Sequence, residues 1–317
     1  MSTPIILDAA AVAAHLPKLD VVGELRAMFT ALGQGQAAQP AQTVTDFPGG
    51  GGDFITYLGA VQAAGVFGAK LSPYIVTDGA PIITAWTQIM SMTTGAPLAL
   101  VDGMHLTTER TAGTTALAVD LLAPASATRL AIIGAGPVAQ AHLRHVLSLR
   151  DWASISVFSP SLGKDGDKQA LWTGLSPALV IATDVASAIG DADVVLLCTS
   201  SGRPVIDPAV LKSGALVTSI STNAPNAHEV PPAFLTAAEV YCDYAPTTPA
   251  AAAEMRLATQ QNGWSADDLR GDLAELTCGT CPTPTGARPV YFRSVGLGLE
   301  DIAMAHGIWK LATGQTA

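Results

Sequence analysis

Three places in this sequence carry residue types that could do chemistry together. The first is Ala131-Ile-Ile-Gly-Ala-Gly-Pro-Val-Ala-Gln140, which contains G-x-G-x-x-A from Gly134 to Ala139. Gly134 permits a tight turn, Gly136 lets backbone approach a pyrophosphate, and Ala139 lets the next helix pack close to its strand. The first turn of that helix, from Pro137 and Val138 onward, offers free N–H groups to phosphates. Pro137 suits this place because an early helical position can spare its N–H. An ordinary strand-to-helix turn is the plain alternative; the strand before and the helix after favour a dinucleotide site.

The second place is Lys70, set among apolar and small residues in Val66-Phe-Gly-Ala-Lys70-Leu-Ser-Pro-Tyr-Ile-Val76. Strand alternation puts Lys70 on one face with Val66, Gly68 and Ser72. A surface lysine with a snorkelling stem reads the same way. The third is Arg110, in Leu106-Thr-Thr-Glu-Arg-Thr-Ala112. If Thr107 or Thr108 caps the helix, Arg110 lies in its first turn, where a cation opposes the helix dipole. A cation placed against that preference is a candidate for binding an anion; a salt bridge to Asp102 or Glu109 is the alternative.

The elements that must position these residues fall into two styles. Asp20 to Gly33 predicts an amphipathic helix with Val21, Val22, Leu25, Met28, Phe29 and Leu32 on its apolar face. Thr43 to Val76 predicts strands, with the tip Pro48-Gly-Gly-Gly-Gly-Asp53 between two of them. Pro81 to Met92 and Pro97 to Val101 predict another strand pair. From Arg129 the pattern becomes βαβ. Strands are expected at Arg129–Ile133, Ser154–Phe158, Asp193–Cys198, Ala215–Ile220 and Glu239–Asp243, with helices at Gln140–Leu149, Asp184–Ile189 and Ala209–Gly214. Such alternation predicts an open parallel sheet covered by helices, with ligands at the carboxyl ends of its strands. Those ends are Gly134 to Val138, Ser159 to Ser161, Thr199 to Gly202 and Ser221 to Asn226. A last helix is expected to open at Phe292 and run to about Leu311, returning to the N-terminal part.

The chain has 317 residues, enough for one large or two medium domains. Hydrophobic residues make up 49% and charged ones 13%, which suggests that much surface is buried, including between subunits. A net charge of −10 argues against nucleic acid and against anionic membranes as partners. No apolar run reaches a bilayer-spanning length, and the start lacks the basic region of a signal peptide. Four cysteines and no secretion signal imply free thiols in a cytoplasmic protein. Thr277-Cys-Gly-Thr-Cys281 is C-x-x-C without a second ligand pair and with prolines following, so no metal site is expected.

Four blocks in order resemble the ornithine cyclodeaminase/mu-crystallin family: Gly68-Ala-Lys70; Leu106 to Ala112, preceded by Leu100-Val-Asp-Gly103; Ile132 to Ala139; and Tyr291-Phe-Arg-Ser-Val-Gly296. The resemblance spans nearly the whole chain. It implies an α/β protein with a Rossmann-type doubly wound parallel sheet, residues 125–291, binding NAD(P). It also implies an α+β substrate-binding and dimerisation domain, residues 1–124 and 292–317, and a homodimer. Lys70 and Arg110 match the Lys and Arg that hold the substrate carboxylate, and Thr111 matches a residue beside the cofactor phosphates. Gln42 stands where the family usually has another Arg. Asn223 stands where cyclodeaminases carry an Asp, and an amide cannot accept a proton. Arg293 replaces a common Lys before Ser294.

The resemblance, with Asn223, favours NAD(P)H-dependent reduction of a cyclic 2-imino acid, such as pyrroline-2-carboxylate or piperideine-2-carboxylate, to L-proline or L-pipecolate. Its small-molecule partner would then be an imino or amino acid. An ornithine cyclodeaminase or amino-acid dehydrogenase is the second reading, and a non-catalytic ligand-binding member the third. Lys70, Arg110 and Asn223 are the expected catalytic residues, with Gln42 added for substrate binding. Thr111, the turn Gly134 to Ala139, Ser159, Ser161, Lys164, Thr199, Ser221, Asn223 and Ser294 are expected around the cofactor. The second Rossmann strand ends in Phe158 without an acidic residue for the ribose 2′-OH, and Ser159, Ser161 and Lys164 follow. That favours NADP(H), with NAD(H) also accommodated.

Overall fold

The computed structural model describes residues 3–221 and 226–315. The chain forms two compact units, Met1–Arg110 with Gly296–Ala317, and Thr111–Val295. The sequence places these boundaries at 124/125 and 291/292.

Unit 1 is built on an eight-stranded sheet. Its path runs Ile5–Leu7, Pro97–Asp102, Trp86–Ser91, Val66–Ile75, Gly52–Val61 and Ala37–Ala38; Thr43–Asp46 and Ile82–Ile83 pair alongside. Only the edge strand Ile5–Leu7 runs parallel to its neighbour. Strand alternation divides the residues between two faces. Val61, Val66, Lys70, Ile89, Ala99 and Val101 are buried on one side, where the helix Gly298–Thr313 packs. Gly59 makes room for that helix, since a Cβ there would lie 2.8 Å from the Leu299 side chain. The opposite face is apolar and exposed. Its cross-strand register aligns Ile6, Leu100, Gln88, Ala69 and Leu58 in one row. Ile6, Leu58, Phe67, Leu71 and Leu100 all stand exposed there.

Unit 2 holds a second eight-stranded sheet, parallel throughout. The order is Leu179–Ile181, Ser154–Phe158, Arg129–Ile133, Val194–Leu197, Leu216–Ser219, Val290–Arg293, Glu239–Cys242 and Leu269–Asp272. Numbered along this unit, the first five strands follow the Rossmann order 3-2-1-4-5, with a switch point beside Arg129–Ile133. Both faces are covered, so Val194–Leu197 and Leu216–Ser219 are buried at every position.

Three local expectations are corrected. Val290–Arg293 is a strand of unit 2, not the opening of the last helix; its β-branched and aromatic run fills a slot between two parallel strands. The helix containing Arg110 begins at Met104, where Asp102 accepts a 2.8 Å hydrogen bond from the Met104 N–H. Arg110 therefore lies beyond the first turn, and the dipole argument for its position does not apply. The segment after Asp207 forms only a short 3₁₀ turn, Pro208–Val210, rather than a helix. Among the described residues no helix is long and apolar enough to cross a membrane.

Candidate active site

In unit 1 the strand Val66–Ile75, the helix from Met104 and the first turn of Gly298–Thr313 bring four charged side chains together. Lys70 Nζ lies 2.7 Å from Asp301 Oδ2. Arg110 Nη1 donates to Glu300 Oε2 at 2.9 Å, and its Nε lies 3.4 Å from Asp301 Oδ1. Asp301 thus bridges both cations. Exposure is 2% for Lys70, 6% for Arg110, 0% for Glu300 and 2% for Asp301. The Lys70 ammonium also sits 4.1 Å from the centre of the Tyr57 ring, a cation–π contact.

The electrostatics follow from burial and pairing. Burial pushes the Lys70 ammonium below its ordinary value, and Asp301 offsets part of that. Burial alone would lower Arg110, but Asp301 and Glu300 outweigh it and hold the guanidinium above its ordinary value. Burial raises the Tyr57 phenol. Gly296 explains why the Tyr291 to Gly296 block ends in glycine. Its φ is +85°, and a Cβ there would lie 2.1 Å from Arg110 Nη1.

In unit 2 the glycine turn opens onto a cavity of about 620 Å³. Gly134, Ala135, Gly136, Pro137 and Val138 line it, with Phe158, Ser159, Thr199 and Ser201 from the neighbouring strand ends. Gly134 has φ +121°, and a Cβ would lie 2.4 Å from the Cys198 carbonyl oxygen. A Cβ on Gly136 would meet nothing within 4 Å, so only its absence leaves that space to a ligand. Gly136 caps the helix Pro137–Val146 without a side-chain hydrogen bond. A cradle of this shape, with first-turn N–H groups beside it, fits a dinucleotide pyrophosphate.

A buried carboxylate fixes the loops beside this cavity. Glu229, 0% exposed, accepts from the Thr199 N–H and hydroxyl at 2.8 and 2.7 Å through Oε1. Its Oε2 accepts from the Ser219 hydroxyl, the Ile220 N–H and the Ser221 N–H at 2.8, 3.0 and 3.1 Å. One side chain thereby ties the ends of two central strands. Sequence reading takes His228-Glu229 as a polar loop-to-helix junction, with a catalytic pair as the lesser alternative; nothing local reveals that Glu229 faces both strand ends.

The expected site residues divide accordingly. Gly134, Gly136, Pro137, Val138, Ser159 and Thr199 line the cavity. Ala139 is buried beneath the turn, as close helix packing requires. Ser161 and Lys164 are exposed beyond Phe158, and the Ser159 and Ser161 hydroxyls lie 3.2 Å apart. Ser221 and Ser294 are buried, and their hydroxyls donate to the Ser201 carbonyl and Asp243. Thr111 is half-buried on its helix and outside the cavity lining. Gln42 stands exposed just before the strand Thr43–Asp46, and neither Lys70 nor Arg110 contacts it among the described residues. Asn223 lies outside the described residues.

Sequence reading missed Glu300, Asp301 and Tyr57 around the two cations, and Arg203 on the cavity rim. His142 is a satisfied core residue, with Nε2 3.0 Å from the Thr115 hydroxyl and Nδ1 2.7 Å from the Val138 carbonyl. Burial pushes the Cys198 thiol well above its ordinary value and Cys281 up to about 11, which suppresses thiolate chemistry at both. A separate cavity of about 530 Å³ in unit 1, lined by Met28, Val66, His306 and Trp309 among others, includes neither Lys70 nor Arg110.

Comparison with known proteins bears on the family and the fold. The model of the ornithine cyclodeaminase/mu-crystallin family matches residues 2–315. The NAD(P)H-dependent anabolic L-arginine dehydrogenase of Pseudomonas aeruginosa is 53% identical over 310 residues, 98% of each chain. A Δ1-pyrroline-2-carboxylate reductase of Colwellia psychrerythraea is 28% identical, covering 68% of this chain and 69% of its own. The fold matches that of the Thermococcus litoralis Δ1-pyrroline-2-carboxylate reductase, solved with NADH and L-proline, with a TM-score of 0.87 at 20% identity over 98% of each chain.

Two substitutions test the supports described above. Gly296→Ala combines a positive φ with displacement of Arg110. It is expected to lower stability by about 1–2 kcal/mol and raise the substrate KM roughly tenfold or more. Thermal melts and steady-state kinetics read both; an unchanged KM would separate Gly296 from Arg110's function. Glu229→Gln replaces one of two acceptor oxygens with an NH2 donor that faces groups donating to it. Unfolding in denaturant is expected to show a loss of about 2–4 kcal/mol, and a loss below about 0.5 kcal/mol would mean that the strand ends hold without it.

Proposed function

The chain belongs to the ornithine cyclodeaminase/mu-crystallin family, and from that premise we propose an NAD(P)H-dependent oxidoreductase acting at the α-carbon of an imino or amino acid. The observation that carries this reading is the pairing of Lys70 and Arg110 at one buried point of unit 1. Arg110 offers a planar fork and Lys70 a movable point charge, a combination suited to a carboxylate. Fixing the carboxylate fixes the orientation of the adjacent C=N carbon, and that carbon is where reduction occurs. Gly134, Gly136 and the first turn of Pro137–Val146 would hold the dinucleotide pyrophosphate. When bound, the nicotinamide supplies the hydride. Ser159, Ser161 and Lys164 suit a ribose 2′-phosphate. Of the two acids that follow in sequence, Asp165 is occupied as a helix cap, accepting from the Lys168 N–H at 3.0 Å, and Asp167 lies in the first turn of that helix. NADP(H) is therefore the favoured cofactor, with NAD(H) accommodated.

The motifs rank a cyclic 2-imino acid first among substrates. The 53% identity to an arginine dehydrogenase over 98% of each chain reverses that order. The favoured substrate is an open-chain imine of a basic 2-oxo acid, formed with ammonia and reduced to the amino acid; the cyclic imine comes second. The exposed apolar face of the unit 1 sheet further supports a homodimer, because an apolar patch that wide seldom faces water in a monomer.

Two measurements test these statements. NADPH oxidation is followed with 2-oxo-5-guanidinopentanoate plus ammonia, with pyrroline-2-carboxylate and with piperideine-2-carboxylate. The first is expected to turn over fastest by at least an order of magnitude; faster turnover of either cyclic imine would restore the cyclic reading. Light scattering after gel filtration is expected to give a dimer for the native chain and a monomer for Leu58→Asp/Leu71→Asp. A monomeric native chain would remove the sheet face from the interface.

A further inference from the structure

Among the described residues, the cavity at the glycine turn has a single charged side chain in its lining, Arg203, and no acid. Ser161 and Lys164, which follow Phe158 in sequence, do not line it. Arg203 belongs to the loop 199–205, just past the strand Val194–Leu197. The backbone of that loop is held at several points. Glu229 accepts from the Thr199 N–H and hydroxyl, and its own carbonyl accepts from the Val205 N–H at 2.8 Å. The Ser201 carbonyl accepts from the Ser221 hydroxyl at 2.9 Å. The Ser201 hydroxyl donates to the Arg203 carbonyl at 2.7 Å and accepts from the Arg203 N–H at 3.2 Å. Pro204 narrows the backbone choice of Arg203 further. The guanidinium itself is exposed, and no carboxylate pairs with it among the described residues. A fixed backbone that carries a free cation to a cavity wall is pre-organised for an anionic ligand group.

Which anion it meets follows from where the loop lies. The strands Ser154–Phe158 and Val194–Leu197 pair with Arg129–Ile133 on either side, so the loops after them flank the glycine turn. A pyrophosphate belongs at the turn itself and is met there by backbone N–H groups. Phe158, Val185 and Val205 line the same cavity and pack against one core, which gives apolar surface suited to an adenine ring. We infer that Arg203 is the specificity-determining cation for the ribose 2′-phosphate of the cofactor, with the Ser159 hydroxyl at the neighbouring strand end as its companion. The inference rests on the reading that the chain favours NADP(H), and it moves the charge of that recognition from Lys164 to Arg203. The planar guanidinium can hold two phosphate oxygens at once. The usual place for such a cation is the end of the second Rossmann strand, where an acid would otherwise meet the ribose hydroxyl. Here the sequence at that end is Phe158-Ser-Pro-Ser161, with neither acid nor arginine, and the charge comes from the loop across the turn.

NADPH and NADH differ only in that phosphate, so their direct binding tests the inference without turnover. Dissociation constants are measured from nicotinamide fluorescence for the native enzyme, Arg203→Ala and Lys164→Ala. The native enzyme is expected to bind NADPH about tenfold or more tighter than NADH. Arg203→Ala is expected to weaken NADPH by about tenfold or more and NADH by less than about twofold, which removes the preference. Lys164→Ala is expected to keep most of it. The Arg203 side chain is exposed, so its removal leaves the core as it is. Equal weakening of both cofactors in Arg203→Ala would place the guanidinium on the pyrophosphate and overturn the inference. A preference that survives Arg203→Ala, or that is lost in Lys164→Ala, would overturn it as well. A native enzyme that binds the two cofactors equally would instead overturn the NADP(H) reading, and the inference would fall with it.

Discussion

A buried cation left without a partner is among the most costly features a fold can hold, and unit 1 buries two cations, Lys70 and Arg110, that must be paired. Its architecture answers that constraint with the end of the chain. The helix Gly298–Thr313 lies across the inner face of the sheet and delivers Glu300 and Asp301 from its first turn. Carboxylates also suit that position, next to the positive end of the helix dipole. Glycines clear the path. Gly59 admits Leu299, Gly298 lies against the Leu58 backbone, and Gly296 leaves space for the Arg110 guanidinium. A side chain at any of the three would move the carboxylates or the cation they hold.

This constraint separates what was legible in the sequence from what was not. The glycine turn could be read because its parts are contiguous and each has a local steric reason. Lys70 and Arg110 stood out as charges in apolar or small-residue surroundings, and the resemblance gave them a role. Their partners could not be read, because Glu300 is 190 positions from Arg110 and an acidic pair in a helix's first turn looks like ordinary dipole complementarity. Opposition to a helix dipole does not single out Arg110. Asp102 starts the helix earlier than Thr107, so the residue is notable for burial and pairing rather than for opposing a dipole. Val290–Arg293 was missed for a related reason: four residues inside a sheet are defined by the neighbours that pair with them, Leu216–Ser219 and Glu239–Cys242.

The two units treat buried acids differently, and the difference indicates where exchangeable chemistry is available. In unit 2 Glu229 and Asp243 are tied to backbone N–H groups and hydroxyls, whereas Glu254 meets a guanidinium as well as a hydroxyl. Glu229 takes five hydrogen bonds from strand ends. Glu254 pairs with Arg293 at 2.9 Å and accepts from the Tyr291 hydroxyl. Asp243 accepts from the Val295 and Tyr244 N–H groups and the Thr248 hydroxyl. Backbone N–H groups and core hydroxyls cannot leave without unravelling the elements that carry them. These acids therefore shape the unit rather than react. In unit 1 Asp301 meets the ends of two flexible side chains, Lys70 and Arg110, and an ammonium or guanidinium can shift toward another carboxylate without loss of backbone hydrogen bonds. The same residue type thus serves as mortar in one unit and as a counter-ion open to competition in the other.

That contrast bears on why the dinucleotide cradle and the proposed carboxylate site differ in the materials they are built from. A pyrophosphate can be met by backbone alone, so its site is written in glycines and a helix start, and it stays in place whatever the surrounding side chains do. A substrate carboxylate must be bound and released in every turnover, and its neighbour atom changes charge as reduction proceeds. On the proposed reading of Lys70 and Arg110, a cluster of paired charges would suit that task, because the carboxylate would enter by exchange among partners already desolvated rather than by stripping water from isolated ions. The desolvation of Lys70 and Arg110 is thus met once, on folding, by Glu300 and Asp301. What remains at binding is the smaller difference between one carboxylate partner and another.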